Sequence, residues 1–162
     1  MKERNSARTL TLGAVIAALY VALTFLSAQL GLSSGVIQLR LSEALCALPL
    51  FFPAAIPGLA VGCLLANLLT GSVMLDVVFG PVATLLGALG TYALRRHPLP
   101  ALLPPILSNA IIVPWVLRFG YGLPDAIWWM TLTVGAGELL SAGVLGYLLY
   151  LALKKRVNLF LP

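Results

Sequence analysis

The chain has 162 residues, 60% of them hydrophobic and only 9% charged, with a mean hydropathy of +1.03. So much apolar surface excludes a soluble domain of this size, and the length leaves room for one membrane domain (residues 1–162) and no separate soluble one. The net charge of +5 sits at the ends and in one loop, which excludes a continuous nucleic-acid-binding stripe.

In chain order, the reading is an all-α integral membrane protein of six transmembrane helices. Lys2, Arg4 and Arg8 precede the first apolar run, which covers about residues 7–29. It is long for a signal peptide and has no clean cleavage site, so it reads as a retained helix. Within it Ala14, Ala18 and Ala22 recur every four residues, a small-residue stripe suited either to packing inside the bundle or to an outward face for a partner subunit. A polar loop with Gly31, Ser33, Ser34 and Gly35 follows. The second helix, about 41–52, is short for a span and opens with Arg40 and Glu43, three residues apart and able to pair on one face; Ser42 is a candidate cap. Pro49, Pro53 and Pro57 then predict a turn that no continuous helix tolerates.

The third helix covers about 58–70 and carries Asn67. The fourth, about 75–94, opens with Asp76, which suits the positive end of a helix dipole. Arg95, Arg96 and His97 close it, and a proline-rich entry leads to the fifth helix, about 101–117, with Asn109 and Trp115. Asp125, after Pro124, is placed to cap the sixth helix, about 126–153, which carries Trp128, Trp129 and Glu138. Lys154, Lys155 and Arg156 stop it.

Threading six spans puts Lys2, Arg4, Arg8, Arg95, Arg96, Lys154, Lys155 and Arg156 on one side, against Arg40 and Arg118 on the other. By the positive-inside rule both termini are cytoplasmic. Arg40, Glu43, Asp76, Arg118 and Asp125 then lie at the outer ends, with Asn67 in the outer half and Asn109 and Glu138 nearer the midplane. The cytoplasmic half carries almost no internal polar group. This predicts a pocket open outward and sealed inward. Glu138, a lone carboxylate deep in an apolar helix, is the strongest functional candidate. Asn67 and Asn109 serve either as ligand contacts or as interhelical glue. Trp115, Tyr121, Trp128 and Trp129 form either an aromatic belt or a stacking platform for a flat ligand. Cys46 and Cys63 lie in apolar runs and read as buried small hydrophobes; the single His97 has no companion ligand, so no metal site is expected.

Together these features resemble the substrate-binding S components of energy-coupling factor (ECF) transporters, and more closely the QueT family. The residues that carry the resemblance are Gln38-Leu-Arg40-Leu-Ser42-Glu43-Ala44-Leu45, Pro53-Ala-Ala-Ile-Pro57-Gly58, Gly62-Cys-Leu-Leu-Ala66-Asn67, and Asp76-Val-Val-Phe79-Gly80 with Ala83-Thr84-Leu85. The resemblance implies the S-component fold and a prokaryotic cell-membrane location. It implies docking through Ala14, Ala18 and Ala22 on a transmembrane coupling protein that works with two ATPase subunits. It also implies a 7-deazaguanine ligand such as the queuosine precursors preQ1 or preQ0. Arg40, Glu43, Asn67, Asp76, Asn109, Trp115, Trp128 and Glu138 are the candidate ligand residues, with Gly31 to Leu39 as a lid. The chain holds no Gly-x-x-x-x-Gly-Lys-Ser/Thr phosphate loop, so ATP belongs to the partners and no cofactor is expected. With one His and no His-Glu-x-x-His, a membrane enzyme is the weaker alternative. An S component for another vitamin or nucleobase-like ligand, a stand-alone facilitator and an assembly protein remain as rivals.

Overall fold

The computed structural model describes residues 2–32 and 37–156, with side chains from Ser6 onward. The described residues are helices and connections. In order they are α1 (Lys2–Gln29), a 3₁₀ helix (Leu41–Leu50), α2 (Ala55–Leu69), α3 (Met74–Ala93), a 3₁₀ turn (Pro100–Leu102), α4 (Leu103–Phe119), α5 (Ile127–Glu138), a π segment (Leu139–Leu145) and α6 (Gly146–Lys154). Ser33 to Val36, the centre of the expected lid, lie outside the described residues.

Four stretches are long and apolar enough to cross a bilayer: Ser6–Gln29, Met74–Ala93, Pro100–Phe119 and the continuous Ile127–Lys154. The other two are short. Fifteen residues of α2 rise about 22 Å, less than the roughly 30 Å of a hydrocarbon core. The second helix differs from expectation in kind as well as length. It is a 3₁₀ helix of ten residues, where such runs rarely exceed three or four. Pro49 within it lacks the N–H that a wider helix would use. The proline turn is also tighter than expected. Pro49 ends the 3₁₀ helix and Pro57 sits in the first turn of α2, where a missing N–H costs nothing, so only residues 51–54 are turn.

Small residues set the packing. A Cβ on Gly58 would lie 2.7 Å from the Gly13 carbonyl oxygen, so α1 and α2 cross backbone to backbone. Gly62 is likewise pressed against Ala17 and Tyr20. The core that results holds Ile16, Tyr20, Leu45, Cys46, Leu59 and Cys63. Ala14, Ala18 and Ala22 fall on the opposite side of α1 and are exposed. Contacts between Gly13 and Ala54, and between Phe51 and Tyr150, gather the early turns of α1, the 51–54 turn and the end of α6 at one end of the bundle. The extended 37–40 segment, the α2–α3 turn and the end of α4 meet at the other.

Candidate functional site: a carboxylate chamber beneath a vestibule

The polar residues picked from the sequence converge at that second end. Asp76 begins α3, and the Gly71 turn, with φ of +71°, folds it back against Asn67 at the end of α2. Asn67 Nδ2 donates to the Asp76 carbonyl at 2.9 Å, which makes Asn67 the link between α2 and α3. Gly80 gives that contact its space, since a Cβ there would be 2.6 Å from Asn67 Nδ2 and 3.1 Å from Asp76 Oδ1.

Arg40 does not pair with Glu43 three residues on. It is the extended residue before the 3₁₀ helix, and its guanidinium lies 3.6 Å from Asp76 Oδ2. The Tyr121 hydroxyl donates to the same oxygen at 3.2 Å. Glu43, 2% exposed, is held elsewhere: Tyr20 of α1 donates to Oε1, and Cys46 Sγ donates to Oε2 at 3.2 Å. The 3₁₀ period of three stacks Cys46 on Glu43. Ser42 does not cap this helix; its hydroxyl meets Thr24 Oγ1 at 2.9 Å. Ser27 Oγ instead accepts the Leu41 N–H at 2.8 Å.

Glu138 closes α5. It is buried, and its Oε2 has no hydrogen-bond partner among the described residues. The π segment starts at the next residue; such departures from the α ladder cluster at functional sites. The helix is pinned there by Gly137, where a Cβ would fall 2.0 Å from the Gln38 carbonyl oxygen.

These groups line two adjoining spaces. The inner chamber is walled by Arg40, Glu43, Asp76, Thr84, Asn109 and Glu138, with Gln38, Cys63, Gly80, Val113 and Val134, and encloses about 20 Å³, room for about one water. Above it a vestibule of about 500 Å³ is lined by Thr24, Asn67, Thr70, Ser72, Tyr121 and others. Gln38, Arg40, Asp76 and Val113 border both, so the Arg40–Asp76–Tyr121 cluster stands at the boundary between them.

The two tryptophans chosen as ligand contacts are not in either space. Trp115 is half exposed, stacks on Phe119 and lines an apolar groove with Leu75 and Phe79. Trp128 is 66% exposed and meets Trp129 edge-on. The aromatic side chains that reach the site's acids are Tyr20, on Glu43, and Tyr121, on Asp76. Asp125 is exposed and Ala126 precedes α5 with no side-chain cap. The end of the bundle away from the site is not wholly apolar either, because α3 buries the Thr91 hydroxyl there without a partner among the described residues; Ser141, in the π segment, buries another.

The sequence reading did not assign Tyr20, Gln38, Thr84 or Gly137 to the site. Tyr20 lies in an apolar helix and reads as core. Gln38 and Thr84 stood among the residues that carried the resemblance, which was the available signal for them. Among the described residues no cluster of His, Cys, Asp and Glu is arranged to hold a metal ion.

A buried carboxylate chamber inside a bundle of apolar helices, adjoining a vestibule, is what a membrane carrier of a small polar solute requires. The family model for QueT transporters matches residues 10–155. The chain belongs to the QueT transporter family. No curated protein and no solved structure matches it. Family and helices together make it a multi-pass membrane protein of a transporter class. The match extends through α4 and α5 to the last turn of α6, so it takes in Asn109 and Glu138, which lie beyond the residues that carried the resemblance in the sequence.

Proposed function

We propose that the chain is the substrate-binding S component of an ATP-driven ECF importer and that it binds a 7-deazaguanine queuosine precursor, preQ1 or preQ0. The observation that carries this reading is the buried, unpartnered Glu138 Oε2 in a chamber that also holds Arg40 and Asn109. The guanine-like edge of such a base presents adjacent N–H donors, which a carboxylate accepts in pairs. Arg40 or Asn109 supplies a donor to the ring carbonyl. Glu43 is already engaged by Tyr20 and Cys46, so it acts as a fixed negative charge, suited to an aminomethyl cation, more than as a free acceptor.

The vestibule is large enough for a bicyclic base; the chamber in this conformation is not. The base therefore docks first in the vestibule. Its further entry requires Arg40, Asp76 and Tyr121 to separate, exchanging an internal ion pair for contacts with the ligand. The basic residues at the opposite end support cytoplasmic termini in a prokaryotic membrane, with the vestibule facing out. The exposed Ala14, Ala18 and Ala22 support docking of α1 on the coupling protein, whose ATPase subunits supply the energy.

The test is a thermal-shift screen of the purified protein against preQ1, preQ0, guanine and thiamin. A rise in melting temperature with a 7-deazaguanine, absent with thiamin, supports the reading. Stabilisation by thiamin alone assigns the fold a different ligand. Uptake by cells lacking the coupling subunits would instead mark a stand-alone facilitator.

A further inference from the structure

We propose that the cleft between the α3–α4 connection and α6 is a binding site for the phosphate headgroup of an anionic phospholipid. It lies at the end of the bundle opposite the vestibule and has a volume of about 610 Å³. Arg95, Arg96 and His97 contribute from the end of α3, and Lys154 from the end of α6. Two of these cations rest on aromatic faces: the Arg95 guanidinium is 4.2 Å from the Tyr92 ring centroid, and Lys154 Nζ is 5.8 Å from that of Tyr150. Tyr150 is in turn fixed between Tyr147 and Phe51, stacked at 5.8 and 5.5 Å.

Charge and shape together decide the ligand class. Among the described residues no carboxylate lines the cleft or pairs with its cations. Of the five acids, Glu43, Asp76 and Glu138 line the chamber and Asp125 lies in the connection at the other end, while Glu3 precedes the residues whose side chains are described. The described residues therefore leave the cleft's positive charge uncompensated, and an anionic headgroup would supply the counter-charge. Solvated flanking cations would satisfy the topology rule without any concavity. Here they rim a concave space whose wall runs onto apolar surface, with Leu99, Leu148 and Leu151 exposed at 62%, 56% and 44%. A charged rim over an exposed leucine surface fits an amphiphile, the headgroup at the rim and an acyl chain along the leucines. An acidic protein segment would leave those leucines uncovered.

The experiment is native mass spectrometry of the full chain released from nanodiscs holding equal amounts of phosphatidylglycerol and phosphatidylcholine. Phosphatidylglycerol should be retained preferentially and should survive excess inorganic phosphate. Arg95→Gln, Arg96→Gln and Lys154→Gln should each lower retention about fivefold, the contribution of one juxtamembrane cation at an anionic surface. Arg118→Gln, at the opposite end, should leave retention unchanged. Melting temperature and precursor binding are measured on every variant to show that it is folded. Equal retention of the two lipids, undiminished retention in the triple variant, or displacement by inorganic phosphate would overturn the proposal. So would loss of binding to the purified coupling protein in variants that show no lipid preference, which would assign the cleft to a protein partner.

Discussion

Tyr20 and Arg40 do their work through single contacts, and each can be removed without disturbing shape. Tyr20→Phe deletes the donor to Glu43 Oε1 and leaves a buried carboxylate oxygen short of a partner. Such a loss costs about 1–3 kcal/mol, so the melting temperature should fall by several degrees. Ligand affinity should fall as well, because Glu43 is no longer held. Unchanged stability and affinity would show that the Tyr20 hydroxyl does not position Glu43. Arg40→Ala leaves Asp76, only 4% exposed, facing Tyr121 alone. Because Arg40 is itself partly exposed, the expected cost is about 2 kcal/mol, below that of a fully buried pair. Thermal unfolding of the variant reads it directly. The sequence made the acids conspicuous, since an ionisable group in an apolar run has few structural excuses. It did not reveal their partners. Arg40 and Glu43 are neighbours in sequence, yet the ion pair forms with Asp76, because the Gly71 turn returns α3 to the extended 37–40 segment. Tyr20 was hidden for another reason: its ring belongs to the core and only its hydroxyl belongs to the site.

Among the elements, the 3₁₀ helix and the π segment bracket the chamber, and neither was legible. Hydrophobic periodicity distinguishes a helix from a strand but not the tighter or wider helical forms. What betrays them is local: Pro49 inside a buried run, and a glycine beside a buried acid at residues 137 and 138. The limits of the longer helices were legible because charges and prolines punctuate them. Gly137 yields a sharp test. A methyl group there collides with the Gln38 carbonyl, and backbone cannot rotate away as a side chain does. Gly137→Ala should lower stability by about 1–3 kcal/mol, as overpacking does, and weaken ligand binding by shifting Glu138. Gly135→Ala is the control, since its Cβ would meet only Ala110 Cβ at an ordinary 3.7 Å. Equal behaviour of the two variants would contradict the close approach.

At the scale of the whole molecule, one bundle end is polar and acid-rich and the other is basic. This division follows from where a short chain can place its few charges. It predicts opposite exposure of the two ends. In cells, Ser72→Cys at the vestibule should react with a membrane-impermeant maleimide, while Arg96→Cys should react only after the membrane is opened. The native Cys46 and Cys63 are buried and should stay silent. The reverse pattern would invert the topology. The central claim is that Glu138 receives the substrate, and isothermal calorimetry with preQ1 tests it most directly. Glu138→Gln keeps the side chain's size but replaces one acceptor oxygen with an N–H donor, at a cost of about 2 kcal/mol, so binding should weaken about thirtyfold with the fold intact. Equal affinity of wild type and variant would contradict the account.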